Sequence, residues 1–268
     1  MDKICQKFLP ISPWEKNVTS RLPGIQPLEH VDLLYMVDDA FNAQMSYRDF
    51  LIKEKRSETF YLSEKALSSA NELLESILSI LKNNSNYKIF PDRIQRPDKK
   101  IIFLKEDNPI IIAGRLIQED LLILHWDNNF QEHILEGGIL CFPALWTLNE
   151  KINKPLSRIH KPVEQYNEKI TRSVQRMFNN LKVDKPIWRA NWYLYKDPEL
   201  FSPLSEKFSH TTEKEYFEGD FWVRVERQTL KRLPVTNAIL FGIHTYVVNK
   251  KQLTLKQITS LKNYSLNK

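Results

Sequence analysis

Hydrophobic and polar positions alternate most regularly between Phe221 and Tyr246, in FWVRVERQTLKRLPVTNAILFGIHTY. Phe221, Val223 and Val225 fall on one side of an extended chain, and Trp222, Arg224, Glu226 and Gln228 on the other, because successive strand side chains point to opposite faces. The stretch reads as a strand, a short turn and a second strand. A polar row flanked by Phe221 and Trp222 suits an exposed sheet face, or a partly buried row that must be paired or meet a ligand.

Upstream, the period changes several times. Residues 1–30 carry Pro10, Pro13, Pro23 and Pro27 and are expected to run extended. One or two helices are expected between Val31 and Lys55. A clearer helix follows Ser63, its cap, with Leu67, Ala70, Leu73, Leu74, Ile77, Leu78 and Leu81 as a core-facing stripe ended by NNSN. Between Ile101 and Phe142 the runs IIFL, IIIAGRLI, DLLILHW and HILEGGILCF predict a meandering antiparallel sheet. Gln118, Glu119 and Asp120 interrupt it, as a solvent-facing corner or as a buried polar contact. Thr147 with Glu150 fits a capping box, and Pro155 ends that short helix. SRIHKPV is expected to be non-helical because Pro162 disfavours helix just before it, which fixes His160 between Ile159 and Val163. An amphipathic helix over 164–181 turns Tyr166, Ile170, Val174, Met177, Phe178 and Leu181 inward. The strand WRANWYLY sets Trp188, Ala190, Trp192 and Leu194 against Arg189, Asn191, Tyr193 and Tyr195. A charged connection and, after the hairpin, a lysine-rich helix from Thr254 to Asn263 complete the chain.

The 268 residues, 42% hydrophobic and 11% aromatic, suffice for one large α+β domain with a sizeable core. No apolar run approaches ~20 residues, so no membrane-spanning helix is expected. The N-terminus lacks a secretory apolar core, which points to a soluble, cytoplasmic protein. The net charge of +6 is spread along the chain, without the basic stripe of a nucleic-acid reader. Six glycines leave no glycine-rich phosphate loop, so nicotinamide, flavin and ATP are not bound by those routes. Cys5 and Cys141 are too few for a four-thiolate cluster, and Cys141 reads as a small buried apolar residue.

Five blocks in order carry a resemblance over about Asp39 to Val248: AGRLIQEDLLIL, ILCFPALW, EKINKPLSRIHKPV, WRANWYLYKDPELF and RVERQTLKRLPVTNAILFGIHTYV. Together they resemble the haem-dependent oxidative N-demethylase-like family. The resemblance implies a PAS-like antiparallel sheet with flanking helices: a mainly helical part over 1–95, a PAS-like body over 96–250 and a C-terminal helix over 251–268, in one domain. It implies a haem b monooxygenase that demethylates a small secondary amine such as dimethylamine with O2. Electrons would pass from NADPH through a separate reductase with flavin and an iron–sulfur centre, and the protein could be oligomeric. A non-catalytic haem sensor or an interaction subunit is the alternative.

Among six histidines, His160 lies in a matched block and is the expected axial iron ligand, with His244 as competitor or polar partner of the haem. Arg224 and Arg227 are candidate propionate partners, Arg224 the better one, and strand period keeps both from meeting one haem unless a bulge intervenes. Glu226 is the candidate group for a protonated amine and its proton, or the partner of a nearby arginine. Trp188, Trp192 and Tyr246 are either a cation–π wall or core.

Overall fold

Strands β9 (Trp222–Arg232) and β10 (Ile239–Asn249) pair over their whole length, from Trp222 opposite Asn249 to Arg232 opposite Ile239. The computed structural model describes residues 4–15, 24–161, 168–206 and 219–266. Strand β8 (Ile187–Tyr195) lies on the other side of β9, with Arg189 opposite Gln228 and Asn191 opposite Glu226. The hairpin β6 (Asp120–Asp127) and β7 (Glu132–Ile139) joins the free edge of β10. Two short edge strands, β1 (Gln26–Pro27) and β2 (Phe60–Leu62), complete a seven-stranded sheet of order β1-β8-β9-β10-β6-β7-β2, each pairing antiparallel. A separate three-stranded sheet holds β3 (Lys88–Ile89), β4 (Arg93–Gln95) and β5 (Ile101–Phe103). The fold is therefore α+β, and the expected meander is divided between two sheets.

The helices cover both faces. On one side α1 (Phe41–Glu54), the single turn α2 (Arg56–Thr59), α3 (Leu67–Leu81) and α4 (Pro109–Leu116) build the largest core, with Leu73, Ile77, Leu121, Ile123 and Leu240 among its buried members. Ser63 caps the 3-10 turn that leads into α3, and Leu67 of the expected stripe is exposed. Farther along that face, Trp14 and α8 (Leu255–Leu266) pack on Ala190, Leu194, Val223 and Val225. The opposite face is covered by α5 (Leu148–Lys151), α6 (Leu156–Ile159) and α7 (Glu168–Asn180), whose Leu148, Leu156 and Phe178 meet Leu122, Leu230 and Ile239. Among the described residues no helix is long and apolar enough to cross a membrane.

Two expectations are corrected. The run IIIAGRLI is helix α4, because Asn108 accepts a hydrogen bond from the Ile110 amide (3.3 Å) and Pro109 opens the first turn; this start signal outweighs β-branched propensity. SRI forms the single turn α6, between Pro155 and His160, since Pro162 restricts only the residue before it. Of the two readings of Gln118, Glu119 and Asp120, the buried polar contact holds and the solvent-facing corner does not: they are 1%, 1% and 0% exposed. Thr147 bonds the Glu150 side chain at 2.7 Å without capping the backbone. Pro23, Pro162, Val163, Tyr166 and His210 lie outside the described residues.

Candidate functional site

The segment carrying His160 is stitched to β7. Leu135 donates to the Lys154 carbonyl and accepts from the Asn153 amide, and Ile134 bridges Pro155. Glu132 then accepts from the first amides of α6 through Ser157 (2.9 Å) and from the Gln175 side chain of α7 (3.2 Å), the favourable place for a carboxylate at a helix start. The buried Lys151 ammonium donates to the Ile159 carbonyl (2.7 Å) and pairs with Glu206. His160 follows at the C-terminus of this turn, and its Nδ1 donates to the Leu156 carbonyl at 2.9 Å. That bond selects the tautomer with the lone pair on Nε2. Burial pushes the imidazole below its usual pKa, and the Lys151 and Arg189 charges push the same way, so the ring is neutral.

The face of the sheet that α5 to α7 partly cover carries the polar row of β9. By register, one face holds Arg189, Asn191 and Tyr193 of β8, then Gln228, Glu226 and Arg224 of β9, then Ile243, Thr245 and Val247 of β10. Arg224 is buried and donates through Nη1 to the Leu200 carbonyl (3.0 Å) and through Nη2 to the Phe142 carbonyl and to Glu226 Oε1 (3.3 Å). Gln228 donates to Glu226 Oε2 at 3.3 Å. Burial raises the Glu226 carboxyl above its ordinary pKa even against the Arg224 charge. Around Glu226 three buried polar atoms have no partner among the described residues: Arg189 Nε, Arg224 Nε and Thr245 Oγ1. Native structures rarely leave such atoms unpaired, so this face has hydrogen-bonding capacity to spare for a further polar group, although Arg227 Nη1 and Glu119 Oε2 behind the sheet are likewise unpartnered among the described residues.

His244 sits on the other face, fully buried. Its Nδ1 lies 3.0 Å from Glu119 Oε1 and its Nε2 3.1 Å from Asp38 Oδ2. Burial opposes the charge, but the two carboxylates outweigh it and raise the imidazole pKa to about 9. Both nitrogens therefore carry protons near neutral pH, and neither offers a lone pair to a metal. Arg227 is on this face too, 5.6 Å over the Trp188 ring, with Nη1 unpartnered among the described residues. Both ladders of β9 run without a register shift, so no bulge brings Arg227 round to Arg224. Trp188, Trp192 and Tyr246 pack on Arg227, on Trp14 and Tyr264, and on His244, away from Glu226.

Compared with known protein families, residues 24–262 match the one described as haem-dependent oxidative N-demethylase, alpha subunit-like. The chain belongs to this family. Its name points to an oxidoreductase that depends on haem. Cys141, buried with its thiol pushed up to about 12 by burial, is no nucleophile in such a site.

The structure brings Arg224 and Glu226 together and sets Arg227 and His244 apart on the opposite face, while the Arg189 charge acts on His160. Sequence reasoning missed Arg189, Asp38 and Glu119. The alternation of WRANWYLY put Arg189 on a polar face, but only strand register makes it a neighbour of Gln228. Asp38 is joined to His244 across 206 positions of chain, a separation that leaves no local signal.

Proposed function

We propose that this protein is the haem-binding subunit of an oxidase that removes a methyl group from a small secondary amine such as dimethylamine. The observation that carries the reading is the set of unpartnered buried polar atoms around Glu226, on the face that α5 to α7 cover, in a member of a haem-dependent demethylase family. A haem site needs a neutral nitrogen donor, apolar walls and cations for the propionates. His160 supplies the donor: its Nδ1–H bond to Leu156 holds the ring so that Nε2 is the metal-binding nitrogen. Ile159, Ile187, Met177 and Phe241 supply the walls. These residues fit haem b, which when bound supplies the redox iron at which dioxygen is reduced.

Glu226 is assigned to the amine. A secondary amine is an ammonium at neutral pH, and a carboxyl raised by burial is suited to take its proton before oxidation. Arg224, committed to two carbonyls and Glu226, positions that carboxyl. Arg227 and His244 hold the opposite face of the sheet in shape. In the reaction one oxygen atom joins the methyl carbon, which leaves as formaldehyde, and the other leaves as water with two electrons and two protons. Two cysteines and the lack of a glycine-rich phosphate loop in this sequence suit a unit that receives its electrons from outside. A separate NADPH-linked reductase with flavin and an iron–sulfur centre would deliver the electrons, in a cytoplasmic setting and a PAS-like body.

The test is an absorption spectrum of the purified protein with hemin and then dimethylamine. A Soret band that the amine shifts is expected, and His160→Ala should lose the band while keeping the fold. No band in the natural protein after hemin addition would overturn the reading.

A further inference from the structure

Charge balance separates the two faces of the sheet. Behind it, Arg227 and His244 are matched by Glu119 and Asp38, whose carboxylates lie against the histidine. On the His160 side, Asp120 is neutralised by Arg48, which leaves Arg189 and Arg224 one carboxyl, Glu226, and Arg224 holds it. Arg189 is left over. Among the described residues it has no carboxylate within ion-pairing distance, its Nη2 is satisfied by the neutral Asn191 side chain, and its buried Nε has no partner. Arg189 is half-buried with its Nε out of water, and a guanidinium partly desolvated without a counter-charge is a natural place for a ligand to bring the missing anion.

Position narrows the anion. Arg189 is two residues along β8 from Ile187, which borders the same core cluster as Ile159 and Met177, and it acts electrostatically on both His160 and Glu226. By register it also lies opposite Gln228, which bonds Glu226, so it borders the carboxyl assigned above. The planar guanidinium fork matches a carboxylate in two-pronged fashion. We propose that Arg189 receives one ligand carboxylate on this face, either a propionate of the cofactor or the acid group of an N-methyl amino acid. The proposal rests on the haem-dependent reading and adds a residue to it.

The natural protein, Arg189→Gln and Arg189→Lys are titrated with hemin and with hemin dimethyl ester, which lacks the free acids. Quenching of tryptophan fluorescence and the Soret band report binding. If the carboxylate is a propionate, the natural protein prefers hemin over the ester by roughly ten- to hundredfold, the range of a charged hydrogen-bonded pair. Arg189→Gln then erases that preference by weakening hemin alone, and Arg189→Lys keeps part of it. If the carboxylate belongs to the substrate, hemin binding is unchanged in Arg189→Gln. The spectral response to N-methylglycine then weakens roughly tenfold or more while that to dimethylamine stays. Either pattern supports the proposal. Hemin and amine responses that ignore Arg189 overturn it and leave the haem reading intact, whereas failure of the natural protein to bind either porphyrin overturns both. Melting of the ligand-free proteins is an independent check. Arg189→Gln removes an uncompensated charge and should melt no lower than the natural protein; a clear fall would assign Arg189 to the fold and overturn the proposal.

Discussion

Replacing His244 by glutamine is the sharpest test of the buried charges behind the sheet. The side chain is fully buried with Glu119 at 3.0 Å and Asp38 at 3.1 Å, and Glu119 is itself only 1% exposed. Met36 donates its amide to Glu119 (2.8 Å), and Gln6 and Gln118 donate to Asp38 (2.7 and 2.9 Å), so the carboxylates are fixed whether or not the imidazolium is there. Removing the cation strands them, and breaking a buried ion pair in this way costs about 3–5 kcal/mol. Glutamine can still donate to one carboxylate, which places His244→Gln at the lower end of that range.

The same contacts predict a pH dependence. The folded-state pKa of His244 is raised from 6.5 to about 9, so the native protein binds the proton more tightly than the unfolded chain. The resulting stability is fully present below about pH 6.5 and is lost progressively as pH rises towards 9. At roughly 1.4 kcal/mol per pH unit the loss amounts to about 3 kcal/mol. Asp38 works from the other side: its pKa is lowered by the His244 hydrogen bond and charge against the opposing effect of burial. Its contribution is present above 3.8 and lost as pH falls through the lower folded value. Urea unfolding followed by tryptophan fluorescence at about pH 6, 8 and 9.5 measures the alkaline limb. Subtracting the His244→Gln curve removes the lysines and tyrosines that titrate in both proteins. The difference should shrink from about 3 kcal/mol towards zero between the ends. A difference that stays constant over that range would refute a cationic His244 in the folded state.

Other perturbations probe the ligand face and the packing beneath it. Glu226→Gln should still bind hemin, and an undiminished spectral response to dimethylamine would remove Glu226 from the substrate site. In Gly114→Ala, the new Cβ on α4 would sit 2.8 and 2.9 Å from the Cγ2 and Cγ1 atoms of the buried Ile139, whose branched side chain has little room to turn. Overpacking of this kind costs ~1–3 kcal/mol and outweighs the helix propensity gained, ~1 kcal/mol at most, so the thermal midpoint should fall; a rise would show that the helix can shift. Arg48→Met leaves Asp120 buried with only the Cys141 and Phe142 amides (2.7 and 2.9 Å) in place of its 2.8 Å ion pair. The urea midpoint should drop by the equivalent of about 3–5 kcal/mol, and an unchanged midpoint would mean that the two amides alone suffice for Asp120.

The parts of the fold that were legible are those whose signal is local. Alternation over 221–246 fixed a hairpin whose strands are Trp222–Arg232 and Ile239–Asn249, and the leucine stripe after Ser63 became α3. The failure at IIIAGRLI has a physical source. A short helix buried on every side, as Ile110, Ile111 and Ile112 are, shows no amphipathic period, and only the Asn108-Pro109 start distinguishes it from a strand. Glu119 and Asp120 stayed ambiguous for the opposite reason: acids signal solvent unless their partners are known, and those partners, His244 and Arg48, lie far away in sequence. The polar row of β9 was visible as a row. Which of its members are already satisfied, and that Arg189 of the neighbouring strand is not, depends on pairing that no local pattern contains.

Register is what divides the labour between the two faces. In a strand a slip of one residue exchanges every side chain between faces, so a slip in β9 would carry Arg227 to the ligand face and bury Arg224 and Glu226 behind it. An edge strand could tolerate such an error cheaply, since only one ladder would be re-formed. β9 is instead central: residues 222–230 pair with β8 and residues 222–232 with β10, with no irregularity in either ladder. The β6–β7 hairpin, by contrast, shifts register between Ile123 and Leu124. The apolar residues Val223 and Val225, each 0% exposed, reinforce the choice, because a slip would move both out of the core on Ala190 and Leu194. Arg224 and Arg227 can therefore be assigned different roles from register alone: the first faces the proposed ligand side, and the second the internally balanced support.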